Sequence, residues 1–381
     1  MVWFYGGGWK HGSSSMSQFN GAVLARSGVV VVTVNYRVGF EGFGHLPGVP
    51  DNRGLLDQIA ALTWVRDEIA GFGGDPGNVT VFGQSAGAAS GVLLMGARAA
   101  RGLFRRVIAQ SIPDGCLGVE EAEEATATIA EAAGVEPSWE GFAALRPEAV
   151  LAVQDAPLAG RPEAGVSAFA PVVDGELVTG RPWEAPNPDV DLVCGFAHEE
   201  YRLFTKGSDL SRVGEEVVTG LAASLGLGPE AVAAYRAAHA ADAGEVFVAM
   251  MSDALFRMPT TWTAEAHARA GGRTWLYNFA WRGPTLGACH CVDVPFVFGN
   301  GDVPYAALFL GSPPPAEFAG LSERMRSAWT SFATVGDPGW PRFDLGRRRT
   351  RIWDDPAYDA DYPLADTYRV WATASGRSRR T

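Results

Sequence analysis

The 381-residue chain carries 31 Lys and Arg against 43 Asp and Glu, a formal charge of -12, and 47% of its side chains are hydrophobic. Such a chain can bury a large core in one large domain, and its acidic balance repels polyanions, so nucleic acid is not an expected partner. No apolar run is long enough to span a bilayer, and no charged start followed by an apolar stretch and a cleavage site is visible, which makes a cytoplasmic location the expectation.

The chain opens on Met1-Val2-Trp3-Phe4-Tyr5, a buried-strand pattern with no preceding cap or hairpin partner, so the N-terminal side reads as shortened. Gly6-Gly7-Gly8-Trp9 follows, then a polar loop and a helical stretch near Phe19 to Ser27. Val29 to Tyr36, "VVVVTVNY", is a β-branched run suited to a parallel sheet. Asn52 to Ala70 has helical apolar spacing, and Gly71 to Pro76 ends it. A strand at Val79 to Phe82, a helix at Ala86 to Met95 and a strand at Arg106 to Gln110 come next. Strands alternating with helices through short turns argue for an α/β domain with a mostly parallel sheet and helices on both faces. From Val119 to about Gln154 the composition turns to Ala and Glu, with Glu120, Glu121, Glu123 and Glu124 on a solvated helix face. Further strands are expected at Leu192 to Phe196 and Thr274 to Phe279, with a mainly helical stretch between. A closing helix is expected at Leu321 to Ala333. The basic cluster Arg347, Arg348, Arg349 and Arg351 reads as solvated surface.

Four cysteines, Cys116, Cys194, Cys289 and Cys291, are too few for a disulfide scaffold. Cys289 and Cys291 flank His290, but no second set of ligands is spaced to complete a zinc site, so no metal is expected.

"GQSAG", residues 83 to 87, is a G-x-S-x-G match, which chance alone supplies on the order of 0.3 times in a chain of this composition. Its context adds weight: a strand precedes it, a helix follows, and a glycine run sits after an upstream strand. Glycines at 83 and 87 permit a sharp turn and close strand-to-helix approach, while the helix from Ala86 aims backbone N–H groups at the site. Neither "GGGW" nor "GFGGDPG" has the spacing of a dinucleotide-binding loop, and no cofactor is implied.

The stretches "VWFYGGGW", "VVVVTVNYRVGFEGF", "GLLDQIAALTWVRDEIAGFGGDPGNVTVFGQSAGAAS", "FAPVVDGE", "GACHCVDVPFVFGN" and "AWTSFATVGDP" together resemble the type-B carboxylesterases, in that family's order and over nearly the whole chain. The resemblance implies a single α/β-hydrolase domain over 1–381, with the helical region at about 205–270 covering the site. It implies Ser85 as nucleophile, His290 as base, and Gly7, Gly8 and Ala86 as backbone oxyanion donors. The acid aligns with Glu200, where the family's following Gly is replaced by Tyr201; Glu199 is the alternative. The chain order Ser, Glu, His is that of an α/β-hydrolase triad. His11, His45, His198, His239 and His267 have no such match and read as surface or packing residues.

Gln84 stands where the family usually has Glu, removing a negative charge beside the serine. Trp9 is a candidate wall of the substrate pocket. Arg37 and Asp75 are expected to form a buried ion pair. The missing N-terminal strands would leave an apolar edge beside "VVVVTVNY". The activity implied is hydrolysis of small to medium uncharged carboxylic esters through an acyl-enzyme. The alternatives are a non-catalytic binding or adhesion member of the same fold, and a shortened enzyme with impaired activity.

Overall fold

A computed structural model of the protein describes residues 1–158, 169–239 and 242–373. Its centre is an eight-stranded sheet: β1 (Val2–Phe4), β2 (Val32–Thr33), β3 (Thr80–Gln84), β4 (Arg106–Gln110), β5 (Asp191–Ala197), β6 (Thr274–Phe279), β7 (Thr350–Trp353) and β8 (Tyr358–Ala360). The spatial order is β2-β1-β3-β4-β5-β6-β7-β8; all neighbours run parallel except β7 and β8. Every residue of β1, β3, β4, β5 and β6 is buried, as uninterrupted apolar runs in a parallel sheet require.

The longer helices lie against it: α1 (Arg53–Glu68), α2 (Ala86–Gly96), α3 (Val119–Ala133), α4 (Glu215–Ser224), α5 (Pro229–His239), α6 (Ala243–Ser252), α7 (Met258–Arg269), α8 (Phe318–Val335) and α9 (Ala365–Thr373). Ten of the eleven residues of α2 are buried, consistent with its Ala, Gly and Leu composition and its place against β3 and β4. Beneath β1, Trp3 packs on Phe19, Phe82 and Phe298 at ring distances of 5.3, 4.8 and 4.9 Å.

Three expectations need correction. The long strand at Val29 to Tyr36 pairs only through Val32 and Thr33, because its single partner β1 is three residues long. On that side the sheet ends at β2, which pairs with β1, and β1 is hydrogen-bonded in turn to β3. Arg37 does not pair with Asp75. Its Nε and Nη2 fork onto Asp57 on α1 at 2.8 Å each, while Asp75 accepts from the N–H of Gly77 two residues on at 2.8 Å. An Asp that closes its own turn this way has a local donor and no need of a distant cation. The basic cluster is not simply solvated: Arg351 lies on β7 paired with Asp359, Arg347 and Arg349 meet Asp361, and Arg348 stacks on Tyr368 and pairs with Glu265. The β7–β8 hairpin was hidden by those arginines, because long charged side chains can flank a buried strand while their ends reach water.

Candidate active site

All candidate residues leave the carboxyl ends of parallel strands: the glycine run follows β1, Ser85 follows β3, Glu200 follows β5 and His290 lies on the loop after β6. Crevices at that edge of an open parallel sheet are where such folds place ligands.

The turn at Ser85 is sterically forced. Ser85 has φ 56° and ψ -125°, a conformation rare for a residue with a side chain, and its N–H is held by the Gln110 carbonyl at 2.8 Å. A Cβ on Gly83 would stand 2.6 Å from the backbone of Gly87, and one on Gly87 only 2.0 Å from the Phe4 oxygen, so both positions admit glycine alone. The result thrusts Ser85 out of the strand while α2 starts at Ala86.

Gly7 and Gly8 have φ of 117° and 61°, and a Cβ on Gly7 would meet the His11 oxygen at 2.1 Å. This loop is fastened at both ends. Tyr5 and Tyr36 stack at 4.4 Å and exchange hydroxyl-to-carbonyl hydrogen bonds, and the Trp9 indole N–H donates to Ser90 Oγ on α2 at 3.1 Å. Trp9 is buried against Phe43 and does not line the cavity; its role is to anchor the loop to α2, which corrects the expectation of a substrate wall.

The two acidic candidates part company. Glu200 is fully buried, with Oε2 2.5 Å from His290 Nδ1 and Oε1 accepting the Ala197 N–H at 2.7 Å. Glu199 turns the other way, to Arg202 at 2.7 Å, Arg282 at 2.8 Å and the Ala288 N–H at 2.9 Å. Burial pushes the Glu199 carboxyl up, but the Ala288 N–H and Arg202 outweigh it and hold it below the ordinary value. Tyr201 needs no left-handed backbone: it sits in a short 3₁₀ stretch, Glu200–Thr205, and its N–H donates to Ser252 Oγ at 2.9 Å.

Burial disfavours a charged His290, while Cys291 and Glu200 beside it favour one, and the net displacement is upward. Its Nε2 faces the Gln84 side-chain nitrogen at 3.0 Å, and its ring lies against Phe256 at 4.2 Å and Phe204 at 5.5 Å. In the neutral ring, with Nδ1–H engaged by Glu200, Nε2 carries the lone pair and the Gln84 amide is its donor. Below the loop, Asp293 is buried, accepts from Gln110 at 2.9 Å and Tyr277 at 3.1 Å, and is pushed up to about 6 by burial.

Ser85, His290, Gly7 and Gly8 border one cavity of about 300 Å³, walled by Phe19, Leu203, Phe204, Val294, Leu308 and Phe309. Among its described lining residues there is no Asp or Glu. His11, expected on the surface or in packing, is exposed at its rim, whereas His267 is buried and bonded to Thr274 and two backbone carbonyls. His45 meets Asp51, and the side chain of His239 lies outside the described residues. Among the described residues no cluster of three His, Cys, Asp or Glu is arranged to hold a metal ion. Phe256 and Asp293 had no functional reading in the sequence; Asp293 could have been noticed three residues after His290, but Phe256 gave no signal.

A profile described as the carboxylesterase family matches residues 1–355. Para-nitrobenzyl esterase of Bacillus subtilis (strain 168) is 34% identical over 376 residues, covering 93% of this chain and 75% of that protein. A probable N-octanoylanthranilate hydrolase of Rhodococcus erythropolis is 34% identical over 356 residues, covering 90% and 74%. In structure, a Geobacillus stearothermophilus carboxylesterase superposes with a TM-score of 0.85 at 32% identity, over 97% of this chain and 81% of the other. The α/β-hydrolase architecture and the family match agree, and the chain is a member of the carboxylesterase family, hydrolases of carboxylic esters.

Proposed function

We propose that Ser85, His290 and Glu200 carry the ester hydrolysis, with the backbone N–H groups of Gly7, Gly8 and Ala86 as the oxyanion hole, on small to medium uncharged esters. The observation that supports this best is the 2.5 Å contact between Glu200 and His290 Nδ1, in a loop that borders the same apolar cavity as the strained Ser85.

The chemistry follows from the residue types. Ser85 Oγ attacks the ester carbonyl as its proton passes to His290 Nε2; Glu200 orients the ring and stabilises the imidazolium. The Gln84 amide, which donates to Nε2 at rest, gives way to the serine hydroxyl as that proton moves. The developing alkoxide is met by the oxyanion donors, each worth about 3 to 4 kcal/mol of barrier. His290 then returns the proton to the leaving alcohol, and water, activated by the same nitrogen, cleaves the acyl-enzyme. A cavity with no carboxylate on its described wall favours uncharged over cationic substrates, and the para-nitrobenzyl esterase relative supports an aryl or arylalkyl alcohol side.

The test is hydrolysis of p-nitrophenyl butyrate with Ser85→Ala beside the wild type. Turnover in the wild type and a loss approaching ~10⁶-fold in the variant is expected. Equal rates from two folded proteins would remove Ser85 from the reaction.

A further inference from the structure

The helical stretch that packs against the Glu200–Thr205 segment contains an irregularity. Between α6 and α7, Asp253–Arg257 form a π-turn, closed by the Met258 N–H on the Asp253 carbonyl. In an unbroken α-helix Ser252 and Arg257 would point about 140° apart. A turn widened to ~4.4 residues brings them within about 50° and leaves Phe256 about 30° to the other side of Ser252, on the same face.

All three face the candidate triad. Ser252 Oγ accepts the N–H of Tyr201, directly after Glu200, at 2.9 Å. Arg257 Nη1 donates at 2.7 Å to the carbonyl of His198, two residues before Glu200. The Phe256 ring lies 4.2 Å from the His290 ring, inclined by 34°. Arg257 is itself fixed, with Nε on Asp253 Oδ1 and Nη2 on the Ala249 carbonyl, both at 2.7 Å. Asp253 Oδ2 takes the Tyr235 hydroxyl at 2.5 Å, and that hydroxyl accepts from the Trp371 indole on α9 at 2.6 Å.

We propose that this π-turn is a positioning device: Ser252 and Arg257 hold the acid's segment on either side of Glu200, and Phe256 holds the imidazole and favours its protonated form. This rests on the assignment of Glu200 and His290 as triad members. An aromatic ring against an imidazolium acts through its quadrupole, so removing the ring at nearly constant apolar bulk destabilises the charged ring. The other titratable groups facing His290 are Glu200, Cys291 and Asp293, with Tyr305 beyond Cys291. All four remain in the variants.

The experiment compares wild type with Phe256→Leu and with 3,4,5-trifluorophenylalanine at position 256, which keeps the shape and weakens the quadrupole. Three quantities are read: kcat and KM on p-nitrophenyl butyrate, the acid limb of kcat/KM against pH, and the titration of the low-field Nδ1–H proton resonance of His290. We expect kcat to fall roughly tenfold with KM within about twofold, and the acid limb and the resonance to titrate about half a pH unit lower in both variants. Ser252→Ala should lower kcat and Ser252→Thr restore it. Superimposable limbs and resonances in all three proteins, or an unchanged kcat in Phe256→Leu, would overturn the proposal. A wild type without turnover would instead sink the catalytic assignment, and the resonance would still report on Phe256.

Discussion

Replacing Glu200 by Gln tests how the acid is used, because the structure dictates what an amide must do there. The Glu200 carboxylate is fully buried and has two fixed partners, the Ala197 N–H on Oε1 and His290 Nδ1 on Oε2. A Gln has one accepting and two donating positions. Its oxygen must turn to the Ala197 donor, since leaving a buried N–H unpaired costs about 1–3 kcal/mol. Its NH2 then faces Nδ1, which has to become an acceptor, so the imidazole proton moves to Nε2 and no lone pair remains for Ser85. A wrong-tautomer change of this kind lowers kcat by ~10⁴-fold, or about 5.5 kcal/mol of barrier. Glu199→Gln is the control: the amide oxygen still accepts the Ala288 N–H, while the charge facing Arg202 and Arg282 is lost. That variant should keep kcat within about fivefold and lose about 1–3 kcal/mol of stability. Steady-state kinetics on p-nitrophenyl butyrate and urea denaturation of both variants decide the matter. A Glu199→Gln loss as large as that of Glu200→Gln, at equal stability, would refute the reasoning.

Two further outcomes follow from backbone sterics and from burial. Gly87→Ala places a Cβ 2.0 Å from the Phe4 oxygen, in the backbone of a buried strand, so the variant should lose more than about 3 kcal/mol of stability or fail to fold, read as its urea midpoint. Asp293 titrates near 6 in the fold against 3.8 unfolded, so folding takes up a proton between those values. Its contribution is full below pH 4 and lost as pH rises through 6, a swing of about 3 kcal/mol, and Asp293→Asn should flatten the wild type's fall in stability between pH 4 and 6.5. Identical slopes in the two proteins would contradict this.

What could be read from the sequence and what could not divides along a physical line. The Ser85 turn and the glycine loop were legible because their geometry is set by contacts a few residues apart or by φ values that only glycine tolerates, and such constraints leave a fixed spacing in the chain. The parallel strands were legible wherever both faces are buried, and β7 was missed because three arginines precede it and its own Arg351 reaches out from a strand that is otherwise buried. The choice between Glu199 and Glu200 stayed open, since adjacent carboxylates differ only in the direction the chain takes after β5, and that direction is held by Ser252 and Arg257, far along the sequence. The Arg37 partner failed for a related reason: Asp57 lies within α1 and Asp75 in the turn beyond it, and only the local turn that occupies Asp75 tells them apart. Phe256 shows the limit most clearly. Its ring reaches His290 because one extra residue widens a helical turn, whereas the periodicity of an unbroken helix would place that residue on another face. In this fold the proposed nucleophile and oxyanion donors are therefore placed by short, spacing-bound turns, and the placing of the proposed acid and base depends on a π-turn that has no spacing of its own.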